Sequence, residues 1–236
     1  MKITFIGAGS TIFARNVIGD CILTPELGDF DVCLFDIDAK RLDESYQILC
    51  NINKTANGKA VIKKTMDRTE AFTGADFVVN AIQVGGYQPC TVTDFEVPKK
   101  YGLRQTIADT LGIGGIFRAL RTIPVMEDYA NDMERLCPHA IFLNYTNPMA
   151  ILTGYMQRYT NIKTVGLCHS VQSCVKELLK TLDMNEYKDK TRWEIAGINH
   201  QAWLLKVEDL DGNDLYPEIK RRASSPDYNK DGKDLV

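Results

Sequence analysis

Short apolar runs alternate with longer helical patterns along most of the chain. The strand candidates are 2–6, 31–36, 60–65, 76–82, 140–145 and 163–167. The helix candidates are 12–23, 38–57, 91–101, 115–136 and 148–159. Asp38 is the expected N-cap of the second of these helices. The apolar runs lack polar alternation, as is typical of strands that are covered on both faces. Strands alternating with helices therefore predict an α/β fold, a Rossmann-like doubly wound parallel sheet.

The pattern changes after about residue 190. Two strand-like stretches at 193–198 and 202–207 and an Asp-Gly turn signal at 211–214 indicate antiparallel structure. We divide the chain into a dinucleotide-binding domain at 1–165 and the start of a second α+β domain at 166–236. From Ser224 onward the sequence is polar without a hydrophobic pattern, so we expect the second domain to be incomplete in this chain.

Composition narrows the function classes. The 236 residues carry 28 basic and 31 acidic side chains, a formal charge of −3, which does not favour a nucleic-acid partner. No stretch approaches the roughly 18 apolar residues of a membrane span. The seven cysteines are an odd number without metal-ribbon spacing, and this predicts reduced thiols in a cytoplasmic protein.

A glycine-rich turn follows the first predicted strand. Gly7 and Gly9 would let the main chain approach a pyrophosphate, and Ser10 and Thr11 could add hydroxyl donors. Asp36 ends the second strand, where a carboxylate can accept hydrogen bonds from a ribose diol and disfavours a 2′-phosphate. The loop therefore predicts an NAD site; the alternative is a glycine turn that binds no ligand.

Further polar residues follow the later strands, at the edge where open α/β sheets bind ligands. The Asn147 amide could bind sugar hydroxyls or cap a helix that opens with Pro148. Asp109 begins a glycine-dense loop and could be an acid, an orienting carboxylate or a solvent-exposed side chain. Cys168 and His200 could hold a divalent cation if the fold brings them together, or be ordinary core residues.

Taken together, these segments resemble glycoside hydrolase family 4, in the form typical of its α-galactosidase branch. The motifs that carry the resemblance are GAGST at 7–11, Asp36, ADTLGIGG at 108–115, NYTNPM at 144–149, CHSV at 168–171 and GINHQAW at 197–203. The resemblance covers the whole chain and implies a second domain like the C-terminal domain of lactate and malate dehydrogenases.

The resemblance also assigns roles to residues. It implies that Cys168 and His200 are ligands of Mn²⁺ or another divalent cation, and that Asn147 binds the sugar. Asp109 corresponds to an acid that raises the basicity of a tyrosine base, and residues 1–236 offer no candidate for that tyrosine. His169 stands where some branches place an aspartate proton donor, and it is the candidate general acid.

The family reaction is an exception to two-carboxylate glycoside hydrolysis. The resemblance implies NAD-dependent oxidation at C3 of an α-galactoside, elimination across C1–C2, and addition of water. It also implies a homo-oligomer at full length. One alternative is an NAD-dependent 2-hydroxyacid dehydrogenase of the lactate/malate type, with His200 as its catalytic histidine. Another is a non-catalytic remnant that binds NAD.

Overall fold

The computed structural model describes residues 1–225. It divides the chain into two compact units, one covering Met1–Leu167 and one that begins at Cys168. No helix among the described residues combines the length and the apolar character that a bilayer crossing requires.

The first unit alternates strands and helices. It contains β1 (Lys2–Ile6), α1 (Thr11–Ile22), β2 (Asp31–Phe35), α2 (Ala39–Thr55), β3 (Val61–Thr65), α3 (Arg68–Phe72), β4 (Phe77–Asn80), α4 (Val92–Lys99), α5 (Gly112–Leu136), β5 (Ile141–Asn144), α6 (Met149–Tyr159) and β6 (Lys163–Gly166). All neighbouring strands pair in parallel, in the order β3-β2-β1-β4-β5-β6. The predicted doubly wound α/β fold is thus confirmed.

The order of the strands creates a switch point between β1 and β4. From β1 the chain builds outward to β2 and β3, and it then returns to add β4, β5 and β6 on the other side. Ligands of open α/β sheets bind in the crevice outside the carboxyl ends of the strands at such a point. The loops after β1, β4 and β5 are therefore the ones whose side chains matter for a site.

Two apolar clusters cover the two faces of this sheet. Phe5 of β1 packs in the cluster that contains Ile18 of α1 and Leu49 of α2. The next residue, Ile6, belongs to the other cluster, with Met126 of α5. Successive side chains of a strand point to opposite faces, so a strand buried on both sides is mostly apolar. This explains the unbroken apolar runs in the sequence.

Helix caps account for some of the boundaries. The Asp38 carboxylate accepts hydrogen bonds from the backbone N–H groups of Lys40 and Arg41 at 3.0 and 3.1 Å, which makes it the predicted N-cap of α2. The sequence analysis missed α3, which Asp67 caps through the backbone N–H of Thr69. Five residues are too few to display a helical period.

The second unit consists of α7 (Ser170–Thr181), β7 (Thr191–Ile198), β8 (Gln201–Asp209) and α8 (Tyr216–Ala223). The two strands pair antiparallel, as predicted. The tight turn between them is Asn199-His200, whereas the Asp-Gly segment at 211–214 follows β8 and leads to α8. The sequence analysis also missed α7 and α8.

A small core of its own supports the second unit. It includes Val175 and Leu179 of α7, Val207 of β8 and Ile219 of α8, all of them buried. The expectation of a patternless segment from Ser224 onward concerns residues that lie, except for the first two, outside the described part of the chain.

Candidate active site

The glycine loop after β1 is fitted closely against its neighbours at the switch point. The backbone N–H groups of Gly7 and Ala8 both donate to the Phe35 carbonyl, each at 3.0 Å. Gly7 has a φ of +80°, and a Cβ at this position would lie 2.7 Å from the Ala81 carbonyl oxygen after β4. Only glycine satisfies both the backbone conformation and the lack of space.

Asp36 closes this loop from the end of β2. Its Oδ2 accepts a hydrogen bond from the Gly9 N–H at 2.7 Å, and its Oδ1 accepts one from the Asp38 N–H at 2.9 Å. A Cβ at Gly9 would lie 2.8 Å from the same Oδ2, so glycine lets the carboxylate approach. A carboxylate oxygen can accept two hydrogen bonds, and each oxygen of Asp36 thus retains capacity for a ligand hydroxyl.

The N-terminus of α1 is open. Ser10 is its N-cap residue but makes no side-chain cap hydrogen bond, and no acidic residue lies in the first turn. The Ser45 hydroxyl of α2 donates to the Thr11 hydroxyl oxygen at 3.2 Å, which ties the two helices together. The uncapped amides and the positive end of the helix dipole suit an anion such as a pyrophosphate.

Two buried asparagines brace the next loop of the carboxyl edge. Asn80, the last residue of β4, donates from Nδ2 to Oδ1 of Asn144, the last residue of β5, at 2.9 Å. The Asn144 side chain in turn bonds the N–H and the carbonyl of Thr146, at 3.1 and 3.2 Å. The Thr146 hydroxyl donates to the Ile82 carbonyl at 3.1 Å. The segment leading to Asn147 is therefore held rigidly.

Sequence reasoning did not single out this pair of asparagines. A signal was nonetheless present, because each is a polar residue at the end of an apolar strand of a predicted parallel sheet. Both are fully buried, and the Oδ1 atom of Asn80 has no hydrogen-bond partner among the described residues.

Asn147 takes part in capping, one of the two roles that the sequence left open for it. Its Oδ1 accepts a long hydrogen bond from the Met149 N–H at 3.4 Å, the first amide of α6, so it contributes to capping. Within residues 1–225 its Nδ2 makes no hydrogen bond, and that group is available to a ligand oxygen. Pro148 is the N-cap residue, so α6 begins one residue later than predicted.

Arginines of α5 hold the loops on either side of Asn147. Arg118 donates from Nε to the Asn147 carbonyl oxygen at 3.0 Å. Arg121 pairs with the buried Asp94 through Nη1 and Nη2, at 3.2 and 2.6 Å. Its Nε donates to the Val84 carbonyl at 3.1 Å. Hydrogen bonding to Asp94 raises the pKa of Arg121. These contacts fix the segments after β4 and β5 relative to α5.

Asp109 and Arg118 are electrostatically linked. Burial lowers the pKa of the Arg118 guanidinium, and the charge of Asp109 acts in the opposite direction. Asp109 is half-buried, and within the described chain it makes no hydrogen bond or ion pair. The structure therefore joins Arg118 to Asn147 by a hydrogen bond, and the charge of Asp109 acts on the same guanidinium.

The remaining predicted residues lie in the second unit. The Cys168 Sγ accepts a hydrogen bond from the Ser170 N–H at 3.4 Å and donates to its hydroxyl oxygen at 3.2 Å. His169 is exposed at the N-cap position of α7. His200 occupies the hairpin turn with a φ of +62°, beside Asn199, whose buried Oδ1 has no hydrogen-bond partner among the described residues.

The predicted metal site has only two protein ligands. Among residues 1–225 no group of three His, Cys, Asp or Glu side chains could hold a metal ion. A thiol and an imidazole suit a divalent transition-metal ion, provided that water and ligand oxygens complete its coordination. The pairing of Cys168 with His200 stays a prediction.

The fold and this site define an α/β protein with an open glycine loop and a braced polar loop on one edge of its sheet. The sequence model of the Family 4 glycosyl hydrolases matches residues 2–184, and the model of their C-terminal domain matches residues 195–235. The chain belongs to this family.

Curated relatives support the same grouping. An alpha-galactosidase from Bacillus subtilis is 63% identical over 229 residues, which cover 97% of this chain and 52% of that protein. An alpha-galactosidase from Rhizobium meliloti is 35% identical, with 87% of this chain and 42% of that protein covered. The chain thus spans about half the length of the curated relatives it matches.

Solved structures show the same fold. A 6-phospho-alpha-glucosidase from gut microorganisms, crystallised with NAD and glucose-6-phosphate, is 25% identical with a TM-score of 0.79, and the match covers 94% of this chain and 50% of that chain. A malate dehydrogenase from Plasmodium falciparum is 18% identical with a TM-score of 0.66, covering 98% and 65% of the two chains. The latter likeness shows the fold alone.

Proposed function

We propose that this protein is an NAD- and Mn²⁺-dependent glycosidase that hydrolyses α-galactosides. One observation carries the proposal: this family 4 chain has an open glycine loop and a braced Asn147 on the same carboxyl edge of its sheet. The 63% identity to an alpha-galactosidase supports the choice of sugar, and the NAD in the 6-phospho-alpha-glucosidase crystal supports the cofactor.

The residues of the first unit fit a dinucleotide. The amides at the start of α1 would bind the pyrophosphate, with Ser10 and Thr11 beside them. Asp36 would accept from the ribose hydroxyls with the lone pairs that its bonds to Gly9 and Asp38 leave over. A carboxylate at this position also repels a 2′-phosphate, so we expect NAD to be preferred over NADP.

The sugar-directed groups fit the proposed reaction. When bound, NAD supplies a reversible hydride acceptor and Mn²⁺ a Lewis acid, which is the chemistry that oxidation at C3, elimination and addition of water require. Cys168 and His200 would hold the cation. Asn147 would orient a sugar hydroxyl through its Nδ2 group, Asp109 would act as an orienting carboxylate, and His169 would supply a proton to the leaving group.

A solvent-isotope experiment tests this mechanism. The full-length enzyme is incubated in D₂O with an α-galactoside, NAD, Mn²⁺ and a thiol reductant, and we expect deuterium at C2 of the released galactose. Turnover without deuterium would argue against elimination, and NAD binding without any turnover would instead favour a non-catalytic protein. Net formation of NADH from malate or lactate would favour a dehydrogenase.

The metal ligands are tested separately. We expect Cys168→Ser to lower the Mn²⁺ content of the purified full-length protein, whereas Cys174→Ser, an exposed position in the helix α7 that follows Cys168, leaves the Mn²⁺ content unchanged. Because a thiolate ligand is sensitive to oxidation, peroxide should also release the metal from the parent protein. Unchanged metal after both treatments would contradict the assignment of Cys168.

The organisation of the whole protein also belongs to this proposal. We place it in the cytoplasm as a homo-oligomer, because its seven cysteines are all unpaired and the family resemblance implies assembly. The proposed domains are residues 1–165 and 166–236. Sedimentation of the full-length protein at several concentrations would test the oligomer.

A further inference from the structure

Arg118 makes few hydrogen bonds for a half-buried cation. Its Nε donates to the Asn147 carbonyl at 3.0 Å, and its Nη1 lies 3.5 Å from the Thr91 hydroxyl oxygen, at the limit of a hydrogen bond. A guanidinium has five N–H donors. Among the described residues Arg118 forms no ion pair, whereas Arg121, one turn further along α5, has a buried carboxylate partner in Asp94.

The shortage of partners has an energetic consequence. Arg118 is half-buried, and desolvation lowers the pKa of its guanidinium while the Asp109 charge offsets part of that effect. Arginine nevertheless stays protonated in proteins. A partly desolvated cation with unused donors is unfavourable unless water or a ligand supplies oxygen atoms. The guanidinium therefore has capacity for acceptor atoms that the described chain does not provide.

The position of Arg118 suggests which atoms those are. Its Nε donates to the carbonyl oxygen of Asn147, and the Nδ2 group of Asn147 is also available to a ligand. These donor groups lie just beyond the carboxyl end of β5. Through Asn144 and Thr146 the segment that carries Asn147 is fixed, so the two sets of donors keep a constant spacing. A rigid pair of neighbouring donor groups suits a ligand with adjacent oxygen acceptors, as in a sugar.

We infer that Arg118 is a second sugar-binding residue, which donates from its guanidinium to a hydroxyl oxygen of the α-galactoside next to the one bound by Asn147. This inference rests on the proposed function, because it takes the substrate to be a sugar. It adds a specificity-determining contact: the planar fork of arginine can bind one hydroxyl while its Nε anchors the loop, and lysine cannot do both.

The test compares variants of the full-length enzyme on deoxygenated substrates. We measure kcat/KM of the parent, Arg118→Met, Arg118→Lys and Asn147→Ala on an aryl α-galactoside and on its 2-, 4- and 6-deoxy analogues. The 3-deoxy analogue lacks the hydroxyl that the proposed reaction oxidises, so its inhibition constant is compared instead. A hydrogen bond to a charged group predicts that Arg118→Met loses about 10- to 150-fold on the parent sugar. For one analogue the same substitution should cost almost nothing, since the contacted hydroxyl is already gone.

Controls separate binding from support of the loop. Arg158→Met removes an exposed arginine of α6 and should leave kcat/KM unchanged. NAD affinity measured by calorimetry without sugar should be equal in all variants. If Arg118→Met costs the same factor on every analogue, or loses its effect only on the analogue to which Asn147→Ala is also insensitive, Arg118 merely supports the Asn147 loop and the inference is wrong. If Arg118→Met fails to fold, the same comparison of analogues with Arg118→Lys decides.

The two proposals fail in different ways. A parent enzyme that is inactive on every α-galactoside, with NAD, Mn²⁺ and reductant present, overturns the proposed function and this inference with it. If the parent enzyme is active, but Arg118→Met lowers kcat/KM by the same factor on every analogue, only the role of Arg118 is overturned.

Discussion

Replacing Gly7 by alanine tests how the glycine loop is built. The residue has a φ of +80°, a conformation that costs an L-residue about 1–2 kcal/mol. The added Cβ would also lie 2.7 Å from the Ala81 carbonyl oxygen, which belongs to the backbone and cannot rotate away. Forcing extra volume into a filled space costs about 1–3 kcal/mol. We therefore expect Gly7→Ala to lower the free energy of unfolding by about 2–5 kcal/mol.

The chain contains a matched control. Gly74 has a similar φ of +67°, but a Cβ there would have no neighbouring atom within 4 Å. Gly74→Ala should therefore cost only the conformational term, about 1–2 kcal/mol. The difference between the two variants isolates the clash with Ala81.

The assay must report on the first unit. Both tryptophans, Trp193 and Trp203, lie in the second unit, so urea unfolding is followed by far-ultraviolet circular dichroism instead of tryptophan fluorescence. NAD binding is measured by calorimetry on the same samples. We expect Gly7→Ala to weaken NAD binding about tenfold or more, equivalent to about 1.4 kcal/mol, with little change for Gly74→Ala. Equal losses of stability in the two variants would refute the steric argument.

Two further predictions concern ion pairs. Asp94→Asn should lower the free energy of unfolding by about 2–3 kcal/mol, because it deprives Arg121 of its buried partner. The double variant with Arg121→Met should recover part of that loss. A cost below about 1 kcal/mol for Asp94→Asn in urea unfolding would contradict this prediction. Hydrogen bonds from Arg221 and Arg222 lower the pKa of Glu218 from 4.5 to about 2, so its contribution is complete above pH 4.5 and is lost as the pH falls toward 2. In thermal unfolding, Glu218→Gln should thus be less stable than the parent at neutral pH and as stable as the parent near pH 2. A difference in melting temperature that stays constant across this pH range would show that the ion pair is not the cause.

Local signals in the sequence were sufficient for the sheet and its loops. A strand covered on both faces is mostly apolar, and this is visible residue by residue, with Thr4, Asn80 and Asn144 as buried polar exceptions. Asp38 was recognisable as an N-cap because capping involves only the next two or three residues. The glycine loop was recognisable for a similar reason, since the strand, the glycines and the following helix are adjacent in the chain.

Some errors arise where local signals are weak. The helix α3 is only five residues long and is too short to display a period. The helices α7 and α8 do have an amphipathic pattern, and the sequence analysis overlooked it. The Asp-Gly signal at 211–214 was correct: the Gly212 N–H donates to the Asp209 carbonyl at 3.2 Å, and the chain reverses there so that Asp214 pairs antiparallel with Glu208. The short Asn199-His200 turn between β7 and β8 has no comparable glycine signal and left no mark in the sequence.

The amino-acid sequence by itself determined the α/β class, the glycine loop and the presence of Asn147 at a strand end, because each depends on residues close together in the chain. The tertiary structure alone decided that Asn80 bonds Asn144 across 64 positions and that Arg118 reaches the Asn147 carbonyl across 29. Such contacts depend on strand order and on the seating of α5, which are set by the packing of the whole sheet and leave no periodic trace in the sequence.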